Sequence, residues 1–298
     1  MSPKALPYIS LLAGFWGTTL VVSRFALGQY APLTYVVLRL LVASLCPLVI
    51  YGVNRKRRLP RGREIWRQGT LLGIFSTAVP MTLIVLSLQY QSSGVTSLIL
   101  TLVPALTVLM AHFLLPDEKL TRRKIAGVTL ALSGGALLIL LGENGLPDVQ
   151  QTDPTGYILV IVAIVVASTM VIYTRKNMQK LDSFDISSVR MWMAVVIMLP
   201  ITFLTAGFDL SRVNAQGAAA LLYAGLVGTF AGMLLDFYNI KRFGATASAM
   251  VSVLIPIVAI VTGALLLGEA ITSGMLMAMV LIIGGVAILN GGNTPVVG

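Results

Sequence analysis

Long apolar stretches separated by short polar ones run the length of this 298-residue chain. Ten such stretches, each near the 20 residues a helix needs to cross the hydrocarbon layer of a bilayer, fall near 8–28, 32–53, 68–90, 94–115, 123–142, 155–174, 186–206, 216–239, 245–267 and 272–291. Within each the apolar character is unbroken, whereas a membrane-barrel strand alternates apolar with polar and runs about half that length. The pattern predicts an all-α integral membrane protein with ten transmembrane helices.

The series repeats. Residues 94–142 read GVTSLILTLVPALTVLMAHFLLPDEKLTRRKIAGVTLALSGGALLILLG, and the chain from 245 reads ATASAMVSVLIPIVAIVTGALLLGEAITSGMLMAMVLIIGGVAILNGG. Each is an apolar run with a mid-run proline, then Glu-x-x-Thr, then a second apolar run with a Gly pair. Ser97 and Ser248, Glu118 and Glu269, Thr121 and Thr272, and Gly134 and Gly285 all lie 151 positions apart, as do Thr18 and Thr169, Arg24 and Arg175, and Arg39 and Arg190. A constant offset without a gap marks a duplicated five-helix unit. Because five is odd, the second copy enters the membrane inverted, giving a 5+5 inverted-topology repeat, the architecture of a secondary transporter with its site between the halves near the midplane. The units predicted are 1–142 and 155–292. A linker at 143–154, rich in turn-forming residues, joins them, and 293–298 form a tail.

Composition agrees: 57% of residues are hydrophobic, 11% are charged, and the mean hydropathy is +0.91, whereas soluble domains carry about a quarter charged residues. The net charge of +10 raises the question of nucleic acid, but its distribution answers it. With the amino terminus inside, the inner loops hold Lys4, Arg55, Lys56, Arg57, Arg58, Arg61, Arg63, Arg67, Lys119, Arg122, Arg123, Lys124, Arg175, Lys176, Lys180, Lys241 and Arg242, which is 17 of the 21 basic residues. The outer loops hold only Arg212, beside Glu143, Asp148, Asp153, Asp209 and Glu269. That bias places both termini in the cytoplasm of a multi-pass protein of the plasma (cytoplasmic) membrane and leaves no soluble basic face for nucleic acid. The single Cys46, in an apolar run, reads as packing, and the first run reads as a retained helix.

Phe15-Trp16-Gly17-Thr18 resembles the Trp-Gly signature opening the drug/metabolite transporter superfamily in its ten-helix EamA branch, and Arg39 resembles the arginine of that family's second helix. Glu118-x-x-Thr121 with Gly134, repeated as Glu269-x-x-Thr272 with Gly285, resembles the end of each EamA unit. The resemblance implies a carrier of small organic metabolites, very often an exporter. Its third, fourth, eighth and ninth helices surround a central cavity, and its fifth and tenth lie outside. Members handle amino acids, aromatic compounds, purines or cationic drugs. The second copy departs from the signature, with Ala167 and Ser168 where the first has Trp16 and Gly17.

Ionisable groups inside a bilayer need a reason to be there. Asp236, the one acid inside an expected helix, reads either as a cation or proton site facing a cavity or as a rim carboxylate paired with Lys241 or Arg242. His112, in the inner third of the fourth helix, could share protons with it or simply be satisfied by one hydrogen bond. Arg39 and Arg190 lie at corresponding depths on opposite sides. They serve a substrate carboxylate, or gating and packing with the charge snorkelling to the headgroups. Arg24 and Arg175, at helix ends, read as snorkelling. Trp16 and Tyr90 are aromatic candidates for the cavity, with Tyr223, Tyr238 and Trp192 closer to an aromatic belt. Pro80, Pro104 and Pro256 interrupt the third, fourth and ninth helices and are hinge candidates. Small residues at Ala220, Ala224, Gly228 and Gly232, and at Gly69 and Gly73, permit close helix approach. Glu118 and Glu269 fall on opposite membrane faces, so they are not a catalytic pair. Each stands ahead of a helix that Thr121 or Thr272 caps.

These features predict a carrier working by alternating access on a small organic solute in contact with membrane lipid, with possible proton coupling. Amino acids, including aromatic ones, lead, with cationic drugs or passive facilitation as the other reading. No catalytic residue, metal site or cofactor is expected, since an intramembrane enzyme needs a clustered set of reacting groups that this chain does not offer.

Overall fold

A computed structural model describes residues 4–54, 57–116, 118–147, 152–178, 181–243 and 250–290. Several expectations fall outside the described residues: those on Arg55, Lys56, Asp148, Lys180 and Ser248, on the Lys241 side chain, on the first turn of the ninth helix, and on the tail at 293–298. Among the described residues the chain is wholly helical. The spans are α1 (Leu6–Ala26), α2 (Pro32–Val53), α3 (Arg63–Ser87), α4 (Ser93–Leu114), α5 (Arg122–Leu140), α6 (Thr155–Asn177), α7 (Ser183–Thr205), α8 (Ala215–Ile240), α9 (Val251–Leu267) and α10 (Ser273–Asn290). Nine of these described helices are long and apolar enough to cross a bilayer, and α9 is a shorter apolar helix. Leu140, Phe203, Leu204, Leu265 and Val280 are left largely exposed. In water such a surface would be costly, and in lipid it is matched.

The helix ends follow local chemistry. Asp182 caps α7, accepting from the N–H groups of Phe184 and Asp185 at 3.0 and 2.9 Å. Thr121 accepts from Lys124 N–H to cap α5, and Thr272 from Met275 N–H ahead of α10, as the sequence suggested. The third helix starts at Arg63 rather than near 68 because its first turn is polar: Glu64 accepts from Arg67 and Gln68. Hydropathy alone does not register that turn.

Three spans are irregular, and they are the ones that matter below. Gly73–Ala78 in α3 and Ala224–Ala231 in α8 are π-helical, beginning at positions that the 151-residue offset makes equivalent. Such bulges concentrate at functional sites. The fourth span breaks at Thr101–Leu102, and Pro104 sits in the first turn of its second segment, Val103–Leu114. Its counterpart α9 runs through Pro256 unbroken. By the offset the two prolines are one position out of register, so the halves do not bend alike.

Packing expresses the inverted repeat. The first helix packs on α9 and α8, while α6 packs on α4 and α3. Likewise α2 packs on α8, and α7 on α3. The remaining pairs, α2 with α7 and α5 with α10, bring each helix against its own counterpart. Exchanging the halves maps each of these contacts onto another of them or onto itself. At the α5–α10 crossing, a Cβ on Gly134 would lie 2.9 Å from the carbonyl of Ala278, and one on Gly285 would lie 2.5 Å from that of Gly127. The two backbones meet with no room for a side chain, which is the small-residue packing of membrane helices.

The two largest buried clusters each join five helices. One joins α4, α5, α6, α9 and α10 around Leu98, Leu138, Val160, Ile260 and Ile282. The other joins α1, α2, α3, α7 and α8 around Tyr35, Leu40, Val85 and Ala194. Loops gather at two ends. At the basic end, Arg57 lies between Asp182 and Asp185, and Glu118 meets Lys124 and Arg175. At the opposite, linker end, Glu143 accepts from Thr272, and Ala270 N–H donates to Gly145.

Candidate functional site

A cavity of about 500 Å³ lies between the halves, a size typical of small-molecule sites, roughly 300–1,000 Å³. It is lined from α1 by Trp16, Thr19, Leu20 and Ser23, from α2 by Arg39, and from α3 by Ser76, Thr77, Pro80 and several apolar residues up to Leu88. Ser97, Leu100 and Thr101 of α4 join them, with Arg190 and Met191 of α7, Gly228, Thr229, Met233 and Asp236 of α8, and Ser252 and Ile255 of α9. The first half supplies the part toward the linker end and the second half the part toward the basic end. Neither α5 nor α10 contributes, as the family resemblance implied. The first helix lines the cavity and α6 does not, in keeping with Trp16 having Ala167 as its counterpart.

The π-helical turns form two of the walls. By widening the turn, the stretch in α8 lets the Thr229 hydroxyl donate to the Ala224 carbonyl at 2.9 Å while it accepts from Arg39 Nε at 2.9 Å. The Arg39 Nη1 group donates to Ser23 Oγ at 3.3 Å, and that hydroxyl in turn donates to the Thr19 carbonyl at 2.6 Å, with the Tyr35 hydroxyl 3.0 Å away. All these partners are neutral. Among the described residues no carboxylate is paired with Arg39. A charge at membrane depth costs about 2.5–3.5 kcal/mol on insertion scales, so this guanidinium is held at a standing cost.

Arg190 stands at the equivalent place in the second half but in different company. Asp236 supplies its electrostatic partner, and both line the cavity. Its Nε is buried with no hydrogen-bond partner among the described residues, as is the Thr77 hydroxyl in the π-helical turn of α3. The offset explains the difference. Position 85, the counterpart of Asp236, is Val85, and position 78, the counterpart of Thr229, is Ala78. Each half therefore has one arginine, hydrogen-bonded to a threonine in one case and sharing the cavity lining with an aspartate in the other. The lining carries two guanidiniums against one carboxylate.

Trp16 reaches the cavity across Gly232, where a Cβ would lie 2.6 Å from the indole Nε1. Leu88 lines the cavity toward the linker end. Its carbonyl accepts from Arg24 Nη1, which also donates to the Gln91 carbonyl at 2.9 Å. Arg24 Nε in turn pairs with Glu269 at 3.1 Å. Glu269 is buried and accepts from Ser93 N–H at 2.9 Å and Ser93 Oγ at 2.7 Å. The left-handed turn at Gly268 (φ 66°) that ends α9 delivers it there. One arginine thus ties α1, α3, α4 and the α9–α10 turn together above the cavity. At the basic end the equivalent pair, Arg175 and Glu118 at 2.5 Å with Lys124 at 2.7 Å, is far more exposed. Hydrogen bonds from Lys124 and Arg175 hold the Glu118 carboxyl below the usual glutamate range.

Of the residues singled out from sequence, Trp16, Arg39, Arg190, Asp236 and Pro80 meet at the cavity. Tyr90 and His112 are not among its lining residues. Tyr90 packs over Gly156 at the start of α6, and His112 Nδ1 accepts from the Leu120 N–H at 3.3 Å, bracing the α4–α5 loop. Pro104 and Pro256 also lie off the lining. Arg24, expected to snorkel, is instead fixed by Glu269 and two carbonyls, because a buried acid lies within reach. The hydroxyl partners Ser23, Thr77 and Thr229 drew no notice in the sequence. Nor did the ion pairs, although Arg24 with Arg175 and Glu118 with Glu269 share the 151-residue offset.

Comparison with known proteins fits this geometry. The EamA-like transporter family matches the chain twice, over residues 3–140 and 154–291. A probable amino-acid metabolite efflux pump of Salmonella typhimurium is 27% identical over 290 residues, covering 93% of this chain and 92% of that protein. A probable terminal-alkyne amino-acid exporter of Streptantibioticus cattleyicolor is 27% identical over 288 residues, covering 96% and 93%. A crystal structure that is 18% identical superposes with a TM-score of 0.66 over 94% of both chains, and so shares the fold.

Proposed function

The chain belongs to the EamA-like transporter family, and on that premise we propose that it exports a small amino-acid-type metabolite by alternating access across the cytoplasmic membrane. It is a multi-pass membrane transporter and not an enzyme. The solute, the direction and the cytoplasmic placement of both termini are the proposal. The observation that carries it is the cavity itself, which sets one guanidinium without an acidic partner (Arg39) beside an indole (Trp16) and an apolar wall of Met81, Ile84 and Leu100. An α-amino acid offers a carboxylate for the first and a side chain for the others. The names borne by two relatives, an amino-acid metabolite efflux pump and an amino-acid exporter, point the same way.

The inverted packing supports the mechanism. Two halves that exchange their contacts can exchange which end is sealed, so rocking one against the other re-exposes one site on the far side. The test is counterflow in proteoliposomes. Amino acid loaded on one side should accelerate entry of labelled amino acid from the other. Flux that rises linearly with gradient and ignores trans solute would replace the carrier with a passive pore.

A further inference from the structure

We infer that the cavity selects solutes with an acidic head, which docks on Arg39: Arg39 is held by neutral partners, and Val85 stands at the repeat position that Asp236 occupies in the other half. The inference rests on the carrier reading above and adds the class of solute. The two arginines descend from one position of the repeat, so their surroundings can be compared directly. Asp236 lines the cavity with Arg190 and attracts it electrostatically. Its counterpart by the offset in the half of Arg39 is Val85, an apolar residue that also lines the cavity.

Arg39 is held without being neutralised. A guanidinium has five N–H donors in a planar fork. Thr229 takes Nε, Ser23 takes one Nη1 hydrogen and the Tyr35 hydroxyl is a third neutral partner; together they fix the plane and leave donors of the fork for a ligand. A purely structural arginine in lipid would be expected to find an acid from its own chain, as Arg24 finds Glu269. A carboxylate presents two oxygens at the spacing of the fork, and its negative charge supplies what the cavity lacks. A cationic solute would meet a lining with a surplus guanidinium, which counts against cationic drugs as the cargo.

The experiment is a thermal-shift titration of the purified full chain against the amino acids and aliphatic and aromatic monocarboxylates, each paired with its amide. The expected result is that acids raise the melting temperature and that amidation weakens apparent affinity at least tenfold. Val85→Asp puts a carboxylate on the lining at the repeat position of Asp236, and should lose the response to acids at least tenfold relative to Val85→Asn, a polar control of similar size. Arg39→Lys, which keeps the charge but not the fork, should lose most of it. The inference is overturned if amides or cations shift the protein as strongly as acids, if no acid shifts it, or if Val85→Asp binds acids as Val85→Asn does. Counterflow with an amide or a cation would overturn the inference while leaving the carrier intact. Absence of counterflow with a solute that binds would remove the carrier reading instead.

Discussion

Replacing Glu269 by glutamine should unseal the linker end of the cavity. The carboxylate is almost fully buried, with 4% of its side-chain surface exposed. It pairs with Arg24, 23% exposed, and accepts from the Ser93 amide and hydroxyl. Removing one partner of a fully buried pair costs about 3–5 kcal/mol. Partial exposure of Arg24 and the hydrogen bonds that glutamine retains bring this to about 2 kcal/mol, or about 30-fold at about 1.4 kcal/mol per decade. That cost falls on the sealed state, so the open fraction rises by the same factor. Ser97→Cys, in a background with Cys46 replaced, puts a thiol on the cavity wall below the seal. Its labelling by an impermeant maleimide applied to the linker side tracks the open fraction while reclosing outpaces labelling. The rate should rise about 30-fold in Glu269→Gln. A rate within twofold of the parent, or a slower one, would show that the Arg24–Glu269 contact does not hold the seal.

Three further outcomes follow from the same coordinates. Gly285→Val, whose Cβ would press 2.5 Å from the Gly127 carbonyl, should destabilise the α5–α10 crossing by about 1–3 kcal/mol or more, read as a lowered melting temperature in detergent; an unchanged one contradicts the packing. Gly232→Ala meets the movable tip of the Trp16 indole, so the melting temperature should hold while KM for transported solute changes, and the reverse split would take Trp16 out of the site. Because the Glu118 carboxyl is held below its ordinary value of 4.5, its contribution to stability is present above that pH and fades as pH falls through the lower folded value. The melting difference between the parent and Glu118→Gln should therefore be seen at pH 6 and vanish in stronger acid. A difference growing below pH 4 would reverse the sign.

The spans and the repeat were legible because bilayer burial demands long unbroken apolar runs, and an intact duplication preserves one offset. The same offset led to Arg39 and Arg190, and the cost of charge in lipid led to Asp236. What stayed hidden was local and cooperative. Nothing in GIFSTA or AGLVGTFA announces a π-helical turn, since its geometry depends on which helix packs alongside. The hydroxyls of Ser23 and Thr229 look like ordinary membrane-helix residues until folding sets them against Arg39. For His112 the sequence left open a proton partner for Asp236 or a ring satisfied by one hydrogen bond, because depth alone was known. Which way its helix faces depends on tertiary packing, and that packing turns it to the α4–α5 loop. For Arg24, end-of-helix position argued for snorkelling, and only contact with the α9–α10 turn reveals a buried acid close by.

Alternating access requires the linker-end seal to part, and one cross-link tests this. A Cβ on Gly263 would lie 2.7 Å from the Ser93 hydroxyl and closer still to the Glu269 carboxylate, so a disulfide between cysteines at 93 and 263 would replace Glu269 as the tie across the seal. The Ser93→Cys, Gly263→Cys pair, with Cys46 replaced, would therefore pin α4 to α9 across the seal. Measured as solute counterflow in proteoliposomes, the oxidised protein should bind solute yet exchange none, and reductant should restore exchange to that of the unlinked protein. Undiminished exchange with the disulfide formed would contradict the account.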